Sequence, residues 1–220
     1  MKVNISKWQR KFEKNIDVLA ALMIGFLTFL VAVQKSPFEY TLSMIGNWFN
    51  ADERVKFLIW GILVSALLIW LILKIYREMN FDDKKSKWLI ILAGVSLVLS
   101  ALIPMLNRMP VPKDLREITN IGFHEVFGAL FVIFFAASLY LFSKHLANEN
   151  QRMSKLIIDL LIIIAGGSIV ILFVFGFTGI FELFFFISLS IALIIVERIV
   201  KRNSPARIRT WVPGAKGLYT

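Results

Sequence analysis

The sequence predicts an all-α membrane protein: a polytopic bundle of six transmembrane helices with both termini in the cytoplasm. Three observations predict this class. Of the 220 residues, 58% are hydrophobic, the mean hydropathy is +0.73, and most charged residues stand between long apolar segments rather than within them. A soluble domain of this length cannot bury so much apolar surface in one core, so the bilayer is the expected solvent.

A helix needs about 20 mostly apolar residues to cross the hydrocarbon core of a bilayer. Six segments meet this requirement, at 16–33, 55–76, 88–106, 121–142, 156–175 and 178–200. We expect them to form one transmembrane domain over residues 1–202. The first segment lacks a small-residue cleavage site before polar sequence, so it is expected to be retained as a helix rather than removed as a secretory signal.

The fifth and sixth segments are separated only by Gly176, Phe177, Thr178 and Gly179. Such a short connection predicts a tight helical hairpin whose glycines supply backbone angles that other residues disfavour. The alternative is one very long broken helix.

The orientation follows from the basic residues. Nineteen of the 25 Lys and Arg residues fall in the N-terminal segment, the loops after the second and fourth spans, and the C-terminal segment, whereas six fall in the other loops. Positively charged flanks are kept on the cytoplasmic side, which places both termini there. Residues 203–220 form a basic tail that is not expected to belong to the fold.

Composition also excludes several functions. The chain has no cysteine, which excludes disulfides, thiolate metal sites and cysteine nucleophiles. Its net charge of +10 would suit nucleic acid if the basic residues shared one folded surface, but here they punctuate apolar segments. We therefore expect no nucleic-acid partner and no cofactor.

Polar residues are expected to converge at the outer face of the bundle. With the N-terminus inside, the second, fourth and sixth helices begin there, and their positive dipole ends suit anions. The residues predicted to form a ligand-binding cluster are His124, Glu125, Arg108, Arg54, Asn107 and Glu182. An acid inside a bilayer needs a partner, and Arg108, Arg54 or His124 could serve Glu182.

Three interpretations of this cluster stay open. The side chains could form hydrogen bonds or an ion pair that only order the outer loops, they could line an outward pocket for a lipid head group or small solute, or they could catalyse a reaction. No catalytic and no metal-ligating residue is predicted, because the two histidines fall at opposite membrane faces. Ser43 with His124 as its base is not distinguished from a helix-capping serine.

Two stretches carry a family resemblance. Leu42-Ser43-Met44-Ile45-Gly46 in the first outer loop, and His124 at the start of the fourth span after a proline-rich loop, resemble the domain-of-unknown-function 998 family of prokaryotic membrane proteins. Met44 departs from the family pattern, which usually has an acidic residue after the serine. The resemblance implies a six-helix fold in a prokaryotic cell membrane and implies no activity.

The sequence thus predicts an integral membrane protein of unknown activity, with a non-enzymatic role favoured. It is expected to bind a lipid head group or small anionic ligand at the outward cluster, or to be a subunit of a membrane complex. The alternatives are a small-solute transporter and a membrane-embedded hydrolase. Expected partners are membrane lipids, a second copy of the chain or other membrane subunits. The phenylalanines of the sixth helix, Phe181 and residues 184–186, are expected to face lipid or a partner.

Overall fold

The computed structural model describes residues 7–44, 51–103, 115–176 and 178–203. Its long helices are α1 (Lys7–Ala32), α2 (Ala51–Glu78), α3 (Lys84–Leu102), α4 (Leu115–Glu149), α5 (Gln151–Phe175) and α6 (Gly179–Asn203). Each of these six contains a segment long and apolar enough to cross a membrane. The predicted fold class, a multi-pass helical bundle, is confirmed in these ranges. The predicted tail beyond residue 203 lies outside the described residues.

The helices alternate in direction, so the bundle has two distinct ends. At one end, called here the Asp17 end, the start of α1 meets the ends of α2 and α6, where Asp17 pairs with Lys74 and Lys201. At the opposite end, called the His124 end, α2, α4 and α6 begin. Contacts between the start of α2 and the end of α3, through Arg54 and Leu102, define this second end.

Local chemistry sets the helix ends. Asp83 is the N-cap of α3, and its carboxylate accepts hydrogen bonds from the Ser86 hydroxyl at 2.6 Å and the Ser86 backbone N–H at 2.8 Å. These bonds hold the pKa of Asp83 below its usual value. At its other end α3 stops at Leu102, and Ile103 is extended with ψ 116°. Ile103 precedes a proline, which disfavours helical angles at that residue.

The predicted hairpin between the fifth and sixth helices is present, with Phe177 outside the described residues. Gly176 has φ +72°, in the region that glycine adopts without steric cost. Gly179 matters for a different reason: its N–H donates to the Tyr40 carbonyl at 2.9 Å, and a Cβ there would lie 2.5 Å from that oxygen. The first turn of α6 therefore rests directly on the segment that follows α1.

The centre of the bundle is formed by α2 and α3, whose spans are each 44% buried, and α5 lies at its edge with 17% buried. A close approach of α2 and α3 occurs at Gly61, where an added Cβ would lie 2.6 Å from that of Ala101. Polar groups also link helices: the Tyr76 hydroxyl is 2.7 Å from that of Ser138, which donates to the Ser86 carbonyl at 2.7 Å. Gly61 and Ala101 thus let α2 and α3 lie close together, as small residues do between helices in membranes.

Candidate functional site

A cavity of about 520 Å³ lies at the His124 end of the bundle, among α2, α3, α4, α6 and the segment after α1. Aromatic side chains make up much of its wall: Phe57, Trp60, Phe131, Phe181, Phe185 and Phe186. The polar side chains that line it are Ser43, Ser100, His124, Glu125 and Glu182. The cavity therefore combines an apolar wall with a small number of polar groups near the helix ends.

The aromatic wall is a connected set of rings. Phe57 stacks on Trp60 with centroids 5.1 Å apart, and Trp60 meets Phe186 edge-on at 5.2 Å. Phe131 stacks on Phe186 at 6.0 Å from the side of α4. The Trp60 indole N–H donates to the Thr28 hydroxyl at 3.0 Å. Because this donor is used within the bundle, the wall offers ring surface to the cavity.

This wall corrects one prediction. Phe186 was expected to face lipid or a partner, but its side chain is buried. Phe181 and Phe185 line the cavity, and Phe184 lies against Gly167 of α5, where a Cβ would come within 2.6 Å of the ring. The phenylalanine-rich start of α6 therefore packs inward.

Glu182 lies in the first turn of α6 and points toward the segment after α1. The Leu42 backbone N–H donates to one carboxylate oxygen at 2.5 Å, and the Ser43 hydroxyl donates to the other at 3.5 Å. The hydrogen bond from the Gly179 N–H to the Tyr40 carbonyl holds the first turn of α6 against this segment. It therefore also positions Glu182 for its contacts with Leu42 and Ser43. Glu182 thus reaches the cavity with its carboxylate fixed by neutral donors.

His124 joins α4 to the end of α3. Its Nδ1 is 2.8 Å from the Ser100 carbonyl and 3.2 Å from that of Ile103, and the Ser100 hydroxyl donates to the His124 carbonyl at 3.2 Å. In a continuing helix the Ser100 carbonyl would accept from residue 104, which is a proline and has no N–H. His124 therefore supplies a hydrogen bond to the Ser100 carbonyl, which cannot receive one from residue 104. Since both partners are carbonyls, Nδ1 carries the proton.

Arg54 lies beside the cavity rather than in its wall. Its Nη2 donates to the Leu102 carbonyl at 2.9 Å, so Arg54 and His124 hold neighbouring carbonyls at the end of α3. A cation is favourable at this position because the C-terminal end of a helix carries partial negative charge.

Of the predicted cluster, the structure brings His124, Glu125 and Glu182 to one cavity and places Arg54 next to it. Asn107 and Arg108 lie outside the described residues. The sequence did not single out the aromatic wall or Ser100 as parts of a site. Aromatic residues are common in every span, so nothing marks those that face inward.

A second polar cluster, at the Asp17 end, was also missed. The Asp17 side chain is 1% exposed and lies 2.5 Å from Lys74 and 2.7 Å from Lys201, and Lys201 also contacts Glu197. Two signals could have found it: Asp17 falls inside the first predicted span, and an acid there needs a partner. Glu197 and Lys201 are also four residues apart on α6.

The fold and the cavity together define a class: a multi-pass helical membrane protein with an internal cavity that is apolar along its wall and polar at one end. The chain belongs to the family described as "Protein of unknown function (DUF998)", whose model matches residues 18–198. This range runs from α1 to α6, and it confirms the resemblance that Leu42, Ser43 and His124 suggested. Neither the curated proteins nor the solved structures contain a significant match to the chain.

Proposed function

We propose that this protein binds a membrane amphiphile in the cavity, with the apolar chain of the ligand against the aromatic wall and its polar head beside Glu182 and His124. The observation that carries this proposal is the lining itself, which is apolar over most of its area, with six aromatic side chains, and polar at the His124 end. Ligand sites commonly have this composition, and about 520 Å³ lies within their usual range of about 300–1,000 Å³.

The proposed route of entry is along α4. Glu125, Ala129 and Val132 line the cavity and are also exposed on the outside of the bundle. Glu125 and Ala129 are four residues apart and Ala129 and Val132 are three apart, so the three residues share one face of the helix. A cavity that opens along the face of a membrane-spanning helix is accessible from the bilayer, where amphiphiles are concentrated.

The test is lipid retention in a chain whose cavity has been filled. Gly128 lines the cavity, and a Cβ there would lie 3.8 Å from the nearest atom, the Ser100 hydroxyl oxygen, so Gly128→Leu has room to project into it. The matched control is Gly166→Leu on α5, where a Cβ meets nothing within 4 Å. Native mass spectrometry of gently purified protein should show a bound lipid in the unaltered chain and in the Gly166 variant, and a loss of at least about tenfold in the Gly128 variant, which corresponds to about 1.4 kcal/mol of binding.

Equal retention in the two variants would count against the cavity, and so would an unaltered chain that carries no lipid. A retained protein partner without lipid would favour the alternative that the chain is a subunit of a membrane complex. The outward orientation of the cavity, and the transporter and hydrolase alternatives, stay predictions.

A further inference from the structure

We infer that the ligand of this cavity carries a primary ammonium group rather than an anionic head, and that the carboxylate of Glu182 holds this group, with Glu125 beside it in the cavity lining. This inference rests on the proposed function, because it names the chemical class of the head group that the same cavity takes. It departs from the small anionic ligand that the sequence predicted.

The first argument is charge. Among the described residues that line the cavity, the charged side chains are Glu125 and Glu182, and neither lysine nor arginine is present. The nearby guanidinium of Arg54 is directed to the Leu102 carbonyl at the end of α3. A phosphate or carboxylate head would therefore be placed against the carboxylate of Glu182 in a low-dielectric setting, where repulsion between like charges is strong.

The second argument is hydrogen-bonding capacity. The Nδ1 proton of His124 is directed to backbone carbonyls of α3, so it does not serve a ligand. The Ser100 hydroxyl donates to the His124 carbonyl, and the Ser43 hydroxyl donates to Glu182. These donors are thus directed within the protein, whereas the lining also contains the carboxylates of Glu125 and Glu182. A head group that donates several hydrogen bonds matches this lining, and an ammonium donates three.

The third argument concerns Glu182 alone. Its recorded partners are the Leu42 N–H and the Ser43 hydroxyl, which are both neutral, and no lysine, arginine or histidine of the described chain lies within ion-pair distance of it. Placing an ionised carboxylate beside an apolar wall costs free energy unless a cation compensates its charge. A ligand ammonium would supply that cation.

The aromatic wall fits the same head group. The rings of Trp60, Phe57 and Phe186 contact one another and line the cavity together. An ammonium near the face of such rings is attracted by their negative charge distribution. The alkyl chain that follows the ammonium is matched by the remainder of the wall, so one amphiphilic amine satisfies both halves of the cavity.

The experiment compares three probes that share a twelve-carbon chain: dodecylamine, dodecanol and dodecanoate. Kd values are measured by native mass spectrometry titration of the full chain at neutral pH. A primary amine is protonated there, because the pKa of such amines is about 10.4. Dodecylamine should bind at least about tenfold more tightly than dodecanol, since hydrogen bonds between charged groups are stronger than those of a neutral hydroxyl. Dodecanoate should bind most weakly.

Glu182→Gln should weaken dodecylamine binding about tenfold and leave dodecanol within about twofold, because glutamine keeps an oxygen for the Leu42 N–H but carries no charge. The matched control is Glu149→Gln, at the Asp17 end of the bundle, which should change neither Kd. Glu125→Gln is the second variant if Glu182→Gln does not fold. An amine preference that survives neutralisation of the carboxylates would overturn the inference.

The outcomes separate this inference from the proposed function. If dodecanol binds as tightly as dodecylamine, or dodecanoate binds most tightly, the ammonium assignment is overturned while amphiphile binding stands. If none of the probes binds, or Gly128→Leu binds all of them as the unaltered chain does, the proposed function itself fails. A preference for phosphatidylethanolamine over phosphatidylglycerol would identify a lipid head group as the source of the ammonium, and a preference for dodecylamine over both lipids would identify a free amine.

Discussion

Asp17 of the first helix and Lys201 of the last are joined by an ion pair of 2.7 Å, and the Asp17 side chain is almost completely buried. Lys74 of α2 approaches the same carboxylate at 2.5 Å. The two ammonium groups compensate a charge that α1 could not place in a membrane alone. The first, second and last helices of the bundle therefore depend on one side chain.

Asp17→Ala is expected to lower the free energy of unfolding by about 3 kcal/mol, because it removes the buried carboxylate that Lys74 and Lys201 share. The two ammonium groups then keep their contacts with Glu78 and Glu197. Reversible unfolding in mixed micelles measures this change. The control is Glu149→Ala, which breaks a solvent-exposed contact of 3.6 Å with His145 and should cost less than about 1 kcal/mol. Equal losses in the two variants would show that the Asp17 cluster contributes little to stability.

Gly179→Ala is expected to displace the first turn of α6. Its methyl group would lie 2.5 Å from the Tyr40 carbonyl and 3.2 Å from that of Pro37, both of which are backbone atoms that cannot rotate away. We expect a lower melting temperature and, because Glu182 follows on the same turn, weaker lipid retention. Gly166→Ala is the matched substitution in open space and should be neutral or stabilising by about 0.5–1 kcal/mol, as expected for Gly→Ala within a helix. A Gly179 variant that matches it in both measurements would contradict the docking argument.

His124→Ala should lower stability and lipid retention far more than His145→Ala. The first substitution leaves the Ser100 carbonyl without the donor that replaces the missing N–H of Pro104, which costs about 1–3 kcal/mol for a buried polar group. His145 has a side chain that is 34% exposed and contacts Glu149 at 3.6 Å. Thermal unfolding of the two variants, followed by intrinsic fluorescence, measures the difference. Similar melting temperatures would argue that His124 has no special role.

The orientation can be measured by cysteine labelling without background, because the chain has no cysteine of its own. Lys113→Cys should react with a membrane-impermeant maleimide added outside intact cells, and Lys85→Cys should react only after the membrane is opened. This expectation follows from the excess of basic residues on the side that includes Lys85. Labelling of both positions from the same side would refute the assigned topology, and labelling in the reverse pattern would place the cavity at the cytoplasmic face.

Much of the fold could be predicted because membrane spans depend on segment length and apolarity, which are local properties. The six spans and the turn at Gly176 follow from them. His124, Glu125 and Glu182 could be placed together because alternating helices bring every second helix start to the same end. The sequence marks Asp17 as an acid that needs a partner, but its pairing with Lys201 could not be predicted, since hydropathy does not determine which helices are neighbours. The inward packing of Phe186 was missed for the same reason.

The link between α1 and α6 also has a consequence for biogenesis. A ribosome delivers Asp17 to the membrane long before it delivers Lys201 or the glycine that docks on Tyr40. The nascent protein must therefore hold its first helix, with an incompletely neutralised acid, until the final helix has been translated. Closure of the bundle thus waits for α6, and a chain truncated before that helix would lack the Lys201 partner of this buried acid.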